Sequence, residues 1–154
     1  MNNNADFFSN VFTIPLEQEN ELVLDIEKDF NNADEVCSFL QEEGADIKYY
    51  VPIAMYYNLK KGQPDEAIKV IEKGLRANGT NEDKYKANNI LGSLYLKIAN
   101  KINSFIDKDL KDRYLNLATE KFNEATQYSQ ADSRDPMLWV NKGMCVYFFS
   151  NLSD

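Results

Sequence analysis

Apolar positions along the chain follow two regimes. In "VFTIPL" (11–16) and "ELVLDI" (21–26) they form short runs bounded by polar residues, with Pro15 inside the first. Such runs predict extended segments rather than helices. From residue 32 the period becomes helical. Val36, Phe39 and Leu40 form a stripe between a cap at Asn32 or Asp34 and a stop at Gly44, which predicts a short helix. Tyr50, Ile53, Ala54 and Tyr57 mark a longer one from Asp46 to Lys61, broken at Gly62. Pro64, Asp65 and Glu66 then open a helix that carries Ile68, Ile71 and Leu75 up to Gly79. Asn81, Glu82 and Asp83 open another, and the polar stretch Lys101 to Arg113 separates it from a helix through Leu117, Ala118, Phe122 and Ala125. Asp135 and Pro136 begin a last one. Pro52 leaves two possibilities, a kinked helix or one that starts near Val51. The predicted organisation is a mobile or extended arm (1–31), a short leading helix (32–45), a first helix pair (46–80), an enlarged second pair (81–135) and the opening helix of a third (136–154).

Gly92 is out of character for its surroundings. It sits among Ile90, Leu91, Leu94, Tyr95 and Ile98, where glycine costs about 1 kcal/mol relative to alanine. A neighbouring helix that passes too close for a side chain would offset that cost, with Ala118 as the expected counterpart.

The pairs also repeat. Leu91, Gly92 and Tyr95 are followed by Ala118, Phe122 and Ala125, which resembles the tetratricopeptide repeat with its Leu-Gly-x2-Tyr first helix and Ala-x3-Phe second helix. Tyr50, Ile53, Ala54 and Tyr57, then Ala67, Ile71 and Gly74, give a looser copy, and Trp139 with Gly143 begins a third. The resemblance implies an all-α solenoid of stacked helix pairs with an extended N-terminal arm. Ala54 and Gly92 lie 38 positions apart and Gly92 and Gly143 51 apart, against about 34 in the family. The second unit is therefore expected to project a charged hairpin. The last helix is apolar nearly all round, so the sequence reads as a fragment whose end is covered by missing repeats, a partner or self-association.

Charge and composition narrow the function. The net charge is −8, and residues 17–46 hold eleven acids against Lys28 alone. This argues against direct nucleic-acid binding, with a strip of Lys101, Lys108, Lys111 and Arg113 as the exception to test, and allows a basic partner. Histidine is absent and the two cysteines, Cys37 and Cys145, have no metal-ligand spacing, so no metal, cofactor or imidazole-based triad is expected. Adjacent acids such as Asp34 and Glu35, or Glu42 and Glu43, do not face each other on a helix, and no nucleophile accompanies them, so the expectation is no enzyme. No apolar run reaches the ~20 residues of a membrane span.

The order of "IPL", "ELVLDI", "DEVCSFLQEEGA" and "YYVPIAMYYNLKKGQPDEAIKVIEKGL", before an expanded second pair, resembles the N-terminal region of the large tetratricopeptide scaffold subunits of the PAF complex, the RNA polymerase II-associated elongation factor. The resemblance covers roughly residues 14–149. It implies a nuclear, non-catalytic scaffold that binds the complex's namesake subunit and other PAF subunits. Through them it would support transcription elongation and co-transcriptional histone modification, with RNA polymerase II engaged indirectly. The family's inward positions correspond to Lys48, Val51, Met55 and Asn58, then Lys86, Asn89 and Ser93, then Val140, Met144 and Tyr147. Phe12, Ile14 and Leu16 of the first extended run offer a second surface, by pairing with a partner strand or by packing along the first helices. The alternative is a generic tetratricopeptide peptide binder or co-chaperone adaptor. Its carboxylate clamp would fall at Val51, Met55, Ile90 and Asn141, which are poorly suited to it.

Overall fold

A computed structural model describes residues 9–15 and 21–128. The chain is mostly helical, with one small two-stranded sheet. It divides into two compact units, residues 1–78 and 79–154.

In the first unit the two extended runs pair with each other. Strands β1 (Val11–Pro15) and β2 (Glu21–Asp25) are antiparallel, with Phe12 opposite Leu24 and Ile14 opposite Leu22. Ile26 N–H donates to Asn10 C=O at 2.7 Å. That bond sets the phase of the ladder, so Phe12 and Ile14 bond inward while the nitrogen of Pro15 faces away from β2, where a missing N–H removes no ladder bond. Alternation sends Phe12, Ile14 and Leu24 into the core and leaves Val11, Thr13 and Val23 exposed. The expected extended arm is thus, over its described part, a hairpin folded onto its own unit.

A one-turn helix α1 (Ile26–Asp29), capped by Asp25, follows. Helix α2 (Ala33–Glu42) is capped by the Asn32 side chain accepting from Glu35 N–H and is ended by Gly44 at φ +66°. Helix α3 (Ile47–Met55) runs through Pro52, so the helix starts before the proline rather than at it. It then widens into a π-helical turn over Tyr56–Lys60, where Lys61 N–H reaches back to Tyr56 C=O at 3.2 Å. Gly62, at φ +63°, reverses the chain into α4 (Pro64–Gly74), with proline in the first turn as expected. Tyr50, Ile53 and Ala54 of α3 and Ala67, Val70 and Ile71 of α4 are buried.

In the second unit α5 (Asn81–Lys101) and α6 (Lys108–Tyr128) form one helical hairpin. Thr80 and Asp83 make a reciprocal capping box at 3.1 Å each way. Leu91, Gly92, Leu94 and Tyr95 are buried on α5, and Leu115, Ala118, Phe122 and Ala125 on α6. The stretch expected to separate these helices is itself mostly helical: only residues 102–107 lie outside them.

A Cβ built on Gly92 would meet the Phe122 ring at 2.6–2.9 Å. The close approach inferred from the sequence is present, and the atoms nearest the added carbon belong to the Phe122 ring. Alanine spacing alone cannot show which side chain fills the groove. In the first unit the roles are exchanged. Gly74 of the second helix faces Tyr50 of the first, with Cβ and Cγ at 2.7 and 2.8 Å from the added carbon.

Candidate functional site

The predicted contact residues of α3 and its π turn, Lys48, Val51, Met55 and Asn58, recur at helical spacing opposite the buried Tyr50, Ile53, Ala54 and Tyr57. Lys48 is exposed and the other three are half-buried, so a strip of mixed polarity remains accessible. On α5, Lys86 is exposed and paired with Glu82 at 3.1 Å, while Asn89 and Ser93 are half-buried. The Ser93 hydroxyl donates to Asn89 C=O at 2.9 Å. The Oδ1 atoms of Asn88 and Asn89 have no hydrogen-bond partner among the described residues. Asn88 is 2% exposed, with its Nδ2 donating to Lys84 C=O. Leu16, Val140, Met144 and Tyr147 lie outside the described residues, as do Asn141, Trp139 and Gly143.

Phe12 and Ile14 require a correction. They are 7% and 3% exposed, within their own unit, and Phe12 stacks edge-on against Tyr56 with ring centroids 5.8 Å apart. Their side chains are used by the chain's own core and are withdrawn as partner contacts. Pairing of β1 with β2 decides this, because the in-register alternation turns both residues to the buried face.

Tyr56 is the centre of the first unit. Its ring receives Phe12 and Tyr57, and its hydroxyl donates to Glu27 Oε1 at 2.6 Å. Lys61 and Lys60 approach the same carboxylate at 3.1 and 3.8 Å. The Tyr56 bond, then those lysines, hold the Glu27 carboxyl below its ordinary value. Burial, then the carboxylate, push the Tyr56 phenol well up. The π turn brings Tyr56 and Tyr57 inward together, and only the folded backbone reveals it.

Beside this cluster a cleft of about 630 Å³ opens in the first unit. Ile26, Phe30, Ala33 and Tyr57 supply its apolar lining, and Glu27, Asp34, Glu66, Lys61 and Lys69 line it too. The chain's own lysines already meet three of these acids: Lys61 meets Glu27, Lys69 meets Glu66 at 3.2 Å and Lys73 meets Asp34 at 3.1 Å. Among the described residues no group of three or more metal-ligating side chains is placed to hold an ion, and no helix is long and apolar enough to cross a membrane. Cys37 is buried, and that burial pushes its thiol up to about 11.

Among the described residues, the turn between α5 and α6 carries the most exposed large apolar side chains. Phe105 is 98% and Ile106 83% exposed. No protein-family model matches the chain, and no curated protein matches it.

Proposed function

We propose that the chain is a non-catalytic protein–protein interaction scaffold built from tetratricopeptide-like helix pairs. We further propose that it acts in the nucleus as the N-terminal part of a PAF-complex scaffold subunit, holding the namesake subunit and other PAF subunits during transcription elongation and histone modification. One observation carries the scaffold reading. Each helical hairpin closes at a glycine packed against an aromatic side chain, Gly92 on Phe122 within the Leu-Gly-x2-Tyr and Ala-x3-Phe frame of the repeat, and Gly74 of the second helix on Tyr50 of the first. Rigid pairs of this kind can present the opposite faces of their first helices to a partner. On α3 that face is the Lys48, Val51, Met55 and Asn58 strip, and on α5 it is Lys86, Asn89 and Ser93. The succession of two extended segments, a short helix, a helix pair and a longer pair supports the PAF assignment, because it follows the order of motifs on which the resemblance rests.

Affinity capture from nuclear extract with mass spectrometry tests the reading. Recovery of PAF subunits is expected, and recovery should fall when Val51 and Met55 are both replaced by glutamate without loss of folding. Recovery of heat-shock chaperones in their place would favour the co-chaperone alternative.

A further inference from the structure

Asn78 and Gly79 form the chain's one Asn-Gly pair, in the irregular segment between α4 and α5. Asn78 is exposed and Gly79 half-buried. Other asparagines are tied by their side chains. Asn10 donates to Asp25, Asn31 to Glu35 and Asn88 to Lys84 C=O, while Asn32 and Asn103 accept Glu35 N–H and Phe105 N–H. The Asn78 side-chain amide and the Gly79 N–H, in contrast, have no hydrogen-bond partner among the described residues. An unengaged amide carbon is thus followed by an unengaged backbone nitrogen, and glycine has no Cβ to hinder the approach of one to the other.

We infer that Asn78 is a site of spontaneous deamidation, and that isoaspartate is its main product in the folded chain. The Gly79 nitrogen attacks Cγ of Asn78. A C–N bond forms, the Cγ–Nδ2 bond breaks, and the Gly79 proton leaves with the amide nitrogen as ammonia. Water then opens the five-membered imide, with no oxidation or reduction in either step. Opening at the former main-chain carbonyl sends the chain through Cβ and Cγ and leaves the old carbonyl as a carboxylate. The fold suits that carboxylate. The Asn78 carbonyl oxygen already accepts Ile47 N–H at 2.9 Å, at the start of α3. That helix has no acid in its first turn, and Asp46, at its N-cap, makes no side-chain cap bond. Negative charge on the Asn78 oxygen therefore falls where the helix dipole favours it. Asn78 also lines a groove of about 260 Å³ with Lys73 and Arg76, and no acid lines it. Lys73 is shared with Asp34, whereas Arg76 has no acid within ion-pair distance among the described residues. Opening at Cγ would give ordinary aspartate, whose new charge lies off the oxygen that meets Ile47. The inference stands apart from the scaffold reading and does not depend on it.

Incubation of the full chain at neutral pH, followed by peptide mapping and by labelling with an isoaspartyl-specific carboxyl methyltransferase, tests this. Asn78 should convert ahead of Asn103, which Ser104 follows and whose side chain is engaged. The native chain should convert Asn78 within about tenfold of its rate in guanidinium chloride, because opening an exposed loop costs little. Isoaspartate should exceed aspartate at position 78. Gly79 does not have a positive φ, so its backbone admits alanine, and Gly79→Ala should lose most of the conversion. Asn78→Gln, which keeps the glycine, should lose all of it. Equal conversion at Asn103, conversion of Asn78 only in denaturant, aspartate as the main product, or undiminished conversion in Gly79→Ala would overturn the inference.

Discussion

A Cβ placed on Gly92 would lie 2.6 Å from Cε1 of Phe122, closer than carbon atoms pack, so glycine here is the space that the ring occupies. Gly92→Leu should lower stability by about 3 kcal/mol through overpacking. Phe122→Leu in the same chain should return part of that loss, because the two sites share one space. Denaturant unfolding of the single and double variants measures both.

Gly74 should be the less tolerant glycine. The atoms nearest its added carbon are Cβ and Cγ of Tyr50, which are anchored to the backbone of α3, whereas those at Gly92 belong to the far edge of a ring. Gly74→Ala should therefore cost about 1–3 kcal/mol, and more than Gly92→Ala. Thermal unfolding midpoints of the two variants give the order.

The acid limb of stability should depend on Glu27. Its carboxyl is lowered from its ordinary 4.5, first by the Tyr56 hydroxyl and then by Lys61. A lowered folded value means stability that is present above 4.5 and is lost as pH falls through the lowered one. Glu27→Gln and Tyr56→Phe should each flatten that limb, as followed by unfolding midpoints from neutral pH downward.

Alkaline pH should act through the tyrosines. Burial is the leading cause that raises Tyr50, Tyr56 and Tyr57 from an ordinary 10, with Tyr57 reaching about 12. Folded values above unfolded ones give stability that is intact below 10 and declines as pH rises beyond it. Phenolate absorbance should show these three residues titrating late, together with loss of helical circular dichroism.

Cys37 should resist alkylation in the native state. Its thiol is buried and raised to about 11, chiefly by that burial, so little thiolate exists near neutral pH. Its modification rate should track unfolding, with peptide mapping separating it from Cys145.

Local signals made much of the helical part legible. Asn32, Gly44, Gly62 and Pro64 act within one or two turns, and the structure places each where its cap or turn chemistry requires. The Thr80–Asp83 box is equally local, since the cap and its partner stand three residues apart in "TNED". Phe105 and Ile106 were hidden for a different reason. They stand in a helix-like polar stretch, and nothing in a pattern of residue types distinguishes an apolar side chain that is buried from one held in water.

The sequence by itself determined the helix boundaries near its caps and glycines, the faces of α3 to α6 that turn inward, and the need for a close neighbour at Gly92. These follow from spacing and backbone chemistry that act over a few residues. Only the tertiary structure decided that β1 pairs with β2 and buries Phe12 and Ile14, that the π turn sets Tyr56 against Glu27, and that Phe122 fills the groove at Gly92. Each depends on which distant groups arrive at the same place, and pairing between segments is settled by the burial and hydrogen bonding of the whole fold.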